Sequence, residues 1–255
     1  MVTGKRKKLS GGNMSRLTKK RNLIYKDASA ASETIHRLLK HVRKEGITWV
    51  PESYGINEDN EHVLSYIKGT VPAGSPSWLW NVGILKDAAG KLRQWHDATA
   101  AFPLDSSRWL MENDEPNEVV CHCDFAPYNT VFRRKKIAGI IDFDVCSPGS
   151  RLWDICYAAY RFIPLFPSES VNPKWDISPF SRDEMKDRLL IFLNTYSHDK
   201  PDRLYSPDEV ILKLKKRLTV LSEWSTEYGR MNNNPEMREH AEMYKNHSEW
   251  IEELC

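Results

Sequence analysis

The sequence predicts an α+β fold in two lobes: a small, mainly antiparallel β lobe with one helix over residues 1–68, and a larger, mostly helical lobe over residues 69–255. Two observations predict it. Short strand-like runs separated by turns surround a single helical pattern in the first third of the chain. From residue 150 onward, nearly every segment has the apolar spacing of a helix. A mostly β segment followed by a mostly α segment therefore indicates two lobes.

Strands and turns dominate the first lobe. Strands are predicted at 23–26, 53–56 and 62–67, with turns at 9–15, 20–22 and 57–60. One helix is predicted over 29–45, since Ile35, Leu38, Leu39 and Val42 recur at three- to four-residue spacing and Gly46 ends the pattern.

Helices dominate the second lobe. A helix over 82–101 is followed by two short strands, 118–121 and 137–142, which flank a loop. Four more helices are predicted over 151–162, 181–197, 207–229 and 235–254.

Composition and cysteine spacing exclude several classes of protein. The chain has 255 residues, 40% hydrophobic and 28% charged, which is typical of a folded globular protein. The five cysteines include no C-x-x-C pair, so neither a zinc knuckle nor a disulfide framework is expected. No apolar run approaches the roughly 20 residues of a membrane helix, and no apolar stretch follows the basic N-terminus. A cytoplasmic protein with free thiols and no membrane partner is predicted.

The near-neutral net charge of +2 hides an asymmetry. Residues 1–26 carry nine Lys and Arg and no Asp or Glu, so the remainder sums to −7. A basic arm of this kind can bind nucleic acid or an acidic membrane surface, remain a solvated tail, or face a phosphate-bearing ligand. Apart from Tyr25 it lacks interleaved aromatics, which disfavours a nucleic-acid partner recognised by base stacking.

The residues with the clearest chemical potential lie between the two short strands. Asp124 and Asn129 stand five residues apart in a loop, and Asp142 and Asp144 follow a buried strand. A carboxylate can accept a proton from an attacking hydroxyl, and carboxylate and amide oxygens are ligands for Mg²⁺. Each residue alone fits a turn or a helix cap equally well. Together they form H-x-D-x-x-x-x-N followed by apolar-apolar-Asp, the order of base, metal Asn and metal Asp in protein kinases.

Four segments resemble the aminoglycoside phosphotransferase family, whose members are protein-kinase-like small-molecule kinases. The catalytic loop of that family, H-G-D-x-x-x-x-N, is similar to HCDFAPYN at 122–129, and its following metal motif is similar to IIDFDVCSPGSRLWDICYA at 140–158. Weaker similarities are LRQWHDAT at 92–99, for the preceding helix, and VLSYIKG at 63–69, for the hinge. The resemblance covers about residues 9–165 and implies a protein-kinase-like two-lobe fold.

The resemblance also implies roles for individual residues. Asp124 falls on the catalytic base, and Asn129 and Asp142 fall on the ligands of Mg²⁺. Asp144 falls where it can assist the metal, and His122 where it supports the loop.

Further positions match the nucleotide site of that family. Lys26 falls on the lysine that neutralises nucleotide phosphates, and Gly12, Asn13 and Ser15 on the loop that covers them. The backbone C=O of Ser65 and N–H of Ile67 fall at the hinge, where an adenine edge binds. ATP or GTP is the implied phosphoryl donor.

The chain departs from the family pattern at two positions. Cys123 stands where the family has Gly. The helix glutamate that pairs with the phosphate lysine is replaced in register by His36, with Glu33 as the other candidate. If His36 occupies the position, the orientation of Lys26 must come from elsewhere.

The predicted function is an ATP- or GTP-dependent phosphotransferase acting on a hydroxyl of a small molecule such as an aminoglycoside, an amino alcohol or a sugar. The alternative is a nucleotide-binding regulator of the same fold without catalysis. Residues 221–255 carry eight Asp and Glu against three Lys and Arg, which favours a cationic acceptor.

Overall fold

The computed structural model describes residues 6–8, 16–111, 113–169, 172, 177–197 and 205–254. They form two compact units: one from residues 1–79 and 93–151, and a second from residues 80–92 and 152–255. The first unit differs from the predicted small lobe because it includes the segment with the H-x-D-x-x-x-x-N motif. The sequence also predicts that residues 1–68 bind the nucleotide and residues 69–255 bind the substrate. That division stays a prediction.

The first unit contains a five-stranded antiparallel sheet. Its strands are β1 (Lys7–Lys8), β2 (Leu17–Lys20), β3 (Leu23–Asp27), β4 (Ser53–Ile56) and β5 (Glu61–Ser65), in the order β1-β2-β3-β5-β4. A tight turn with Arg21 at φ 57° joins β2 to β3. The turn at 20–22 and the strands β3, β4 and β5 agree with the prediction to within a few residues, whereas β1 and β2 were not predicted.

Helix α1 (Ser32–Lys44) packs against β4. Its apolar stripe of Ile35, Leu38, Leu39 and Val42 is buried, as the spacing predicts. Gly46 follows with φ 94°, a left-handed conformation in which glycine is unstrained, and the helix ends there.

Two small antiparallel pairs complete the first unit. Strands β7 (Thr130–Arg133) and β8 (Lys136–Ile140) form a hairpin, and β6 (Val119–Cys121) pairs with β9 (Ser147–Gly149). The hairpin is hydrogen-bonded to the earlier part of the unit, through a bridge between Thr70 and Phe132 and a bond from the Ile140 N–H to the Trp49 carbonyl. These bonds explain why the motif segment belongs to the β-rich unit.

The helices agree closely with their predicted bounds. They are α2 (Val82–Thr99), α3 (Arg151–Phe162), α4 (Arg182–Tyr196), α5 (Pro207–Met231) and α6 (Pro235–Trp250), followed by a 3-10 turn at Ile251–Leu254. Helices α4 and α5 both begin with a capping box, formed by Ser181 with Glu184 and by Ser206 with Glu209. In the second unit, α5 and α6 pack along each other.

Within the part of the chain that the structure describes, no helix combines the length and apolar character needed to cross a membrane. Cys121, Cys123, Cys146 and Cys156 are buried and are not joined in disulfides.

Candidate functional site

The loop between β6 and β7 holds Asp124 by hydrogen bonds from two neighbours. The Asn129 Nδ2 donates to Asp124 twice, to its side-chain Oδ2 at 2.8 Å and to its backbone O at 3.0 Å. The Tyr128 hydroxyl donates to the other carboxylate oxygen, Oδ1, at 2.5 Å. Because Nδ2 of Asn129 is engaged by Asp124, its Oδ1 is the atom left to act as a ligand.

The loop turns at Cys123, whose φ of 64° lies in the left-handed region. This conformation costs a residue with a Cβ about 1–2 kcal/mol relative to glycine, which explains why glycine suits this position in the family that the sequence resembles. In this chain the side chain is buried, and its Sγ lies 3.3 Å from the Ser147 Oγ on β9. The cysteine therefore gains a packing contact in exchange for backbone strain.

His122 is fully buried beneath the loop. Its ring contacts the rings of Trp95, Phe125 and Phe143, at centroid distances of 6.3, 5.7 and 4.8 Å. The Asp124 N–H points to its Nδ1 at 3.3 Å. These contacts place His122 as a support for the backbone at Asp124.

Asp142 is brought next to Asn129 by backbone pairing just beyond β8. The Ile141 N–H donates to the Asn129 carbonyl at 2.9 Å. Asp142 itself has φ 65°, a conformation that turns the chain away from the strand direction. The two predicted metal ligands thus lie on adjacent backbone segments, although 13 residues separate them in the sequence.

Lys26, near the end of β3, is the buried cation of the site. Its Nζ lies 2.9 Å from Asp142 Oδ1 and 2.5 Å from Asp144 Oδ2. Burial opposes its charge, but the attraction of the two carboxylates outweighs burial and raises the pKa of Lys26. Burial also raises the pKa of Asp144, although Lys26 favours its charged form and opposes that rise. Within the described residues, the ion-pair partners of Lys26 are these two aspartates.

Helix α1 supplies a histidine, not a glutamate, at the position that faces the sheet. The His36 Nδ1 lies 2.8 Å from the Ser53 Oγ, which lies 2.7 Å from the His62 Nε2. His62 is the cross-strand neighbour of Lys26. Burial, with smaller contributions from the charges of His36 and Lys26, lowers the pKa of His62 to about 4. Glu33, the other candidate, is exposed.

The first unit contains a pocket of about 360 Å³, and several of the polar residues described above line it. Its polar lining includes Lys26, His62, Asn129, Asp142 and Asp144. The remaining lining residues are mainly apolar or belong to the predicted hinge: Leu17, Ile24, Ile35, Leu39, Pro51, Leu64, Ser65, Tyr66, Ile67, Gly69, Val71, Tyr128, Val131, Ile141 and Phe143.

The hinge side of the pocket depends on one close backbone approach. A Cβ on Gly139 would lie 2.4 Å from the Trp49 carbonyl oxygen and 2.6 Å from the Ile67 Cδ1. Glycine therefore lets β8 approach the hinge. Ser65 is fixed there by its N–H, which donates to the Glu52 carbonyl, and by its Oγ, which accepts from the Glu52 N–H.

Most of the predicted site residues are therefore neighbours. Lys26, Ser65, Ile67, Asn129 and Asp142 line the pocket. Asp124 is hydrogen-bonded to Tyr128 and Asn129, two of the lining residues. Gly12, Asn13 and Ser15 lie outside the described residues.

Sequence reasoning missed three polar residues at the site. Tyr128 precedes Asn129 within the motif, but nothing in its spacing indicates a bond to Asp124. Ser53 and His62 come from predicted strands, and their bonds depend on which strands pair. One indication of this hydrogen-bonded chain was present in the sequence: His36 stands where the family that the sequence resembles has a glutamate.

The oxygen atoms available as metal ligands at the pocket fit magnesium. Asn129 and Asp142 offer the hard oxygen atoms that this ion prefers. Among the described residues, no cluster of three or more His, Cys, Asp or Glu is arranged to hold a metal by itself. A magnesium ion at this site would thus need further oxygen ligands, and nucleotide phosphates commonly supply them.

Residues 75–176 match the model of APH, the phosphotransferase enzyme family. The predicted family resemblance is confirmed. The matched range contains the H-x-D-x-x-x-x-N loop and both aspartates that pair with Lys26.

Solved structures with the same fold include kinases of two kinds. A choline/ethanolamine kinase family protein from Mesorhizobium loti is 17% identical, with a TM-score of 0.67 and coverage of 98% of this chain and 89% of that one. The ADP-bound aminoglycoside phosphotransferase APH(2'')-Ib is 14% identical, with a TM-score of 0.59 and coverage of 98% and 95%. The GDP and kanamycin complex of APH(2'')-IIia is 11% identical, with a TM-score of 0.59 and coverage of 98% and 92%. At these identities the neighbours show the fold, and the predicted kinase-like α+β fold is confirmed.

A curated relative is the trifolitoxin immunity protein of Rhizobium leguminosarum bv. trifolii, 31% identical over 147 residues. The matched region spans 55% of this chain and 55% of the relative, so the chain matches about half of that protein's length.

Proposed function

We propose that the chain is a magnesium-dependent phosphotransferase that moves the γ-phosphoryl group of ATP or GTP to a hydroxyl of a small molecule. The observation that carries this proposal is the convergence of Lys26, Asn129 and Asp142 on one pocket, with Asp124 hydrogen-bonded to Asn129. A cation, two oxygen ligands and a carboxylate base are the groups that phosphoryl transfer needs.

The donor nucleotide is assigned to the pocket. The Ser65 carbonyl and the Ile67 N–H meet the polar edge of the base, while Ile24, Leu64 and Val131 offer an apolar surface to its faces. Lys26 meets the phosphates. Asn129 and Asp142 would hold magnesium, which supplies positive charge to the oxygens of the transferred group.

Asp124 acts as the proton acceptor. The acceptor oxygen forms a bond to the γ-phosphorus while the bond from that phosphorus to the β–γ bridging oxygen breaks, and the hydroxyl proton passes to Asp124. The nucleoside diphosphate leaves. Asn129 bonds Asp124 through Nδ2 and would offer Oδ1 to the metal, so one side chain would position both the base and the ion.

The acceptor is proposed to carry an amine. The acidic excess of residues 221–255 would attract a cation. Choline, ethanolamine and kanamycin, which appear in the descriptions of the structural neighbours, belong to that class.

The curated relative favours a second candidate. Its named role is immunity to a toxin, which a nucleotide-bound protein can also provide by binding without phosphoryl transfer. The two candidates differ in their need for Asp124.

A nucleotide-consumption screen separates them. Mg·ATP and Mg·GTP are tested with aminoglycosides, choline, ethanolamine, sugars and nucleosides, using wild type, Asp124→Asn and the exposed control Asp59→Asn. We expect consumption with an amine-bearing alcohol, a loss of at least about 10²-fold in kcat for Asp124→Asn, and wild-type activity for Asp59→Asn. Activity of Asp124→Asn within a few-fold of wild type excludes Asp124 as the base. Tight nucleotide binding without turnover of any acceptor favours the binding candidate.

A further inference from the structure

Both carboxylate oxygens of Asp124 are already occupied by donors from its own loop. Asn129 donates to Oδ2 at 2.8 Å and Tyr128 donates to Oδ1 at 2.5 Å. A hydroxyl that is to lose its proton to Asp124 must first donate a hydrogen bond to one of these oxygens. Each carboxylate oxygen has two lone pairs, so an acceptor hydroxyl can bond to it only where the resident donor leaves room.

Asn129 is the donor that is held in place. It is buried, and its Nδ2 also donates to the Asp124 backbone carbonyl. Its own N–H donates to the Ala126 carbonyl, and its carbonyl accepts from the Ile141 N–H. Rotating its side chain would break both Nδ2 bonds, and the two backbone bonds keep the residue itself in place.

Tyr128 is the donor that can move. Its side chain is 42% exposed and lines the pocket. Rotamer changes of exposed side chains are fast, so this side chain can move more readily than the buried Asn129. Its phenolic hydroxyl donates a hydrogen bond as the hydroxyl of an acceptor would. It donates to Oδ1, the oxygen that Asn129 leaves for the acceptor.

We propose that Tyr128 masks the catalytic base: its hydroxyl occupies the place of the acceptor hydroxyl on Asp124 and keeps water off that oxygen until an acceptor displaces it. This inference rests on the proposed function. It assigns to Tyr128 the suppression of wasteful nucleotide hydrolysis, a role that acts through Asp124.

The side reaction that masking prevents is hydrolysis of the nucleotide, in which water replaces the acceptor hydroxyl. A water oxygen bonds to the γ-phosphorus, the bond to the β–γ bridging oxygen breaks, and nucleoside diphosphate and inorganic phosphate are released. Asp124 takes the water proton. With Tyr128 hydrogen-bonded to Oδ1, access of water to this oxygen is restricted, which disfavours the hydrogen bond through which the proton leaves.

The test needs no acceptor. Hydrolysis of Mg·ATP and Mg·GTP is measured without any alcohol for wild type, Tyr128→Phe and the double variant Asp124→Asn/Tyr128→Phe. Tyr54→Phe is the control, since Tyr54 is 54% exposed, lies outside the pocket lining and loses a comparable bond, to Glu52. Calorimetric binding of Mg·nucleotide is measured for all four proteins.

We expect hydrolysis to rise on the order of tenfold in Tyr128→Phe, the scale set by one hydrogen bond to a charged group. It should stay at the wild-type rate in Tyr54→Phe and lose the increase in the double variant. Nucleotide affinity should remain within about threefold of wild type.

The outcomes separate the inference from the proposed function. If wild type binds Mg·nucleotide and Tyr128→Phe hydrolyses it at or below the wild-type rate, the masking role is overturned and the phosphotransferase proposal stands. An increase that persists in the double variant overturns it as well, because the reaction then does not use Asp124. If wild type binds neither nucleotide, the proposed function itself is overturned.

Discussion

The ion pairs of Lys26 give a quantitative prediction for Lys26→Met. Methionine keeps most of the stem and removes the charge, so Asp142 and Asp144 are left facing each other without a cation. The Lys26 and Asp144 side chains are 11% and 21% exposed, whereas that of Asp142 is 41% exposed. Removing one partner of a buried pair costs about 3–5 kcal/mol, and solvent screening of Asp142 brings the expected loss to the lower end, about 3 kcal/mol.

Thermal unfolding is the assay. For a protein of this size, about 3 kcal/mol corresponds to a decrease of about 6–12 °C in Tm. The matched control is Lys40→Met, which removes an exposed lysine from α1 in the same unit and should change Tm by no more than about 2 °C.

Two further measurements separate charge repulsion from lost packing. The double variant Lys26→Met/Asp144→Asn should recover part of the loss, because one of the two facing charges is gone. The deficit should also shrink as the pH falls. Burial raises the pKa of Asp144, so the folded protein takes up its proton before the unfolded chain does, and that protonation relieves the repulsion. A Lys26→Met protein that melts within about 2 °C of wild type at neutral pH refutes this reasoning.

Three other predictions address the metal ligand, the loop strain and the histidine chain. Asp142→Ala should abolish the tightening of nucleotide binding by Mg²⁺ in calorimetry, because a hard oxygen ligand is lost; equal binding with and without that side chain contradicts the assignment. Cys123→Gly should raise the free energy of unfolding in urea by about 1 kcal/mol, and Cys123→Val should lower it, since a β-branched residue tolerates φ 64° poorly; the reverse order contradicts the strain argument. Wild type should lose on the order of 3 kcal/mol between pH 6.5 and about 4 through His62, because its folded pKa of about 4 makes the unfolded chain bind the proton first. His62→Gln should show a shallower acid loss, and an unchanged pH profile would exclude His62 as its source.

Local patterns in the sequence predicted the helices, because a helix is stabilised by contacts between residues that are close in the sequence. The three- to four-residue spacing in α1 depends on neighbours within one or two turns. Strand β9 was missed because Ser147–Gly149 has no strand-like composition and is ordered by pairing with β6. Such pairing is a property of the folded chain, not of the segment.

The same distinction applies to the site. The spacing from Asp124 to Asn129 is contained in one loop, so it could be recognised from the sequence. The partners of Lys26 could not be recognised, because Asp142 lies 116 positions further along the chain. The bond from Tyr128 to Asp124 depends on a rotamer, which a residue pattern does not specify.

The hydrogen-bonded chain from His36 through Ser53 to His62 means that helix α1 and Lys26 are held by different groups. Helix α1 is joined to the sheet by the hydrogen bond between His36 and Ser53, and the charges that hold Lys26 come from the segment after β8. A shift of α1 therefore breaks no ion pair of Lys26. In the proposed phosphotransferase, the lysine assigned to the nucleotide phosphates would therefore be held by the aspartate segment after β8 and not by an ion pair with α1.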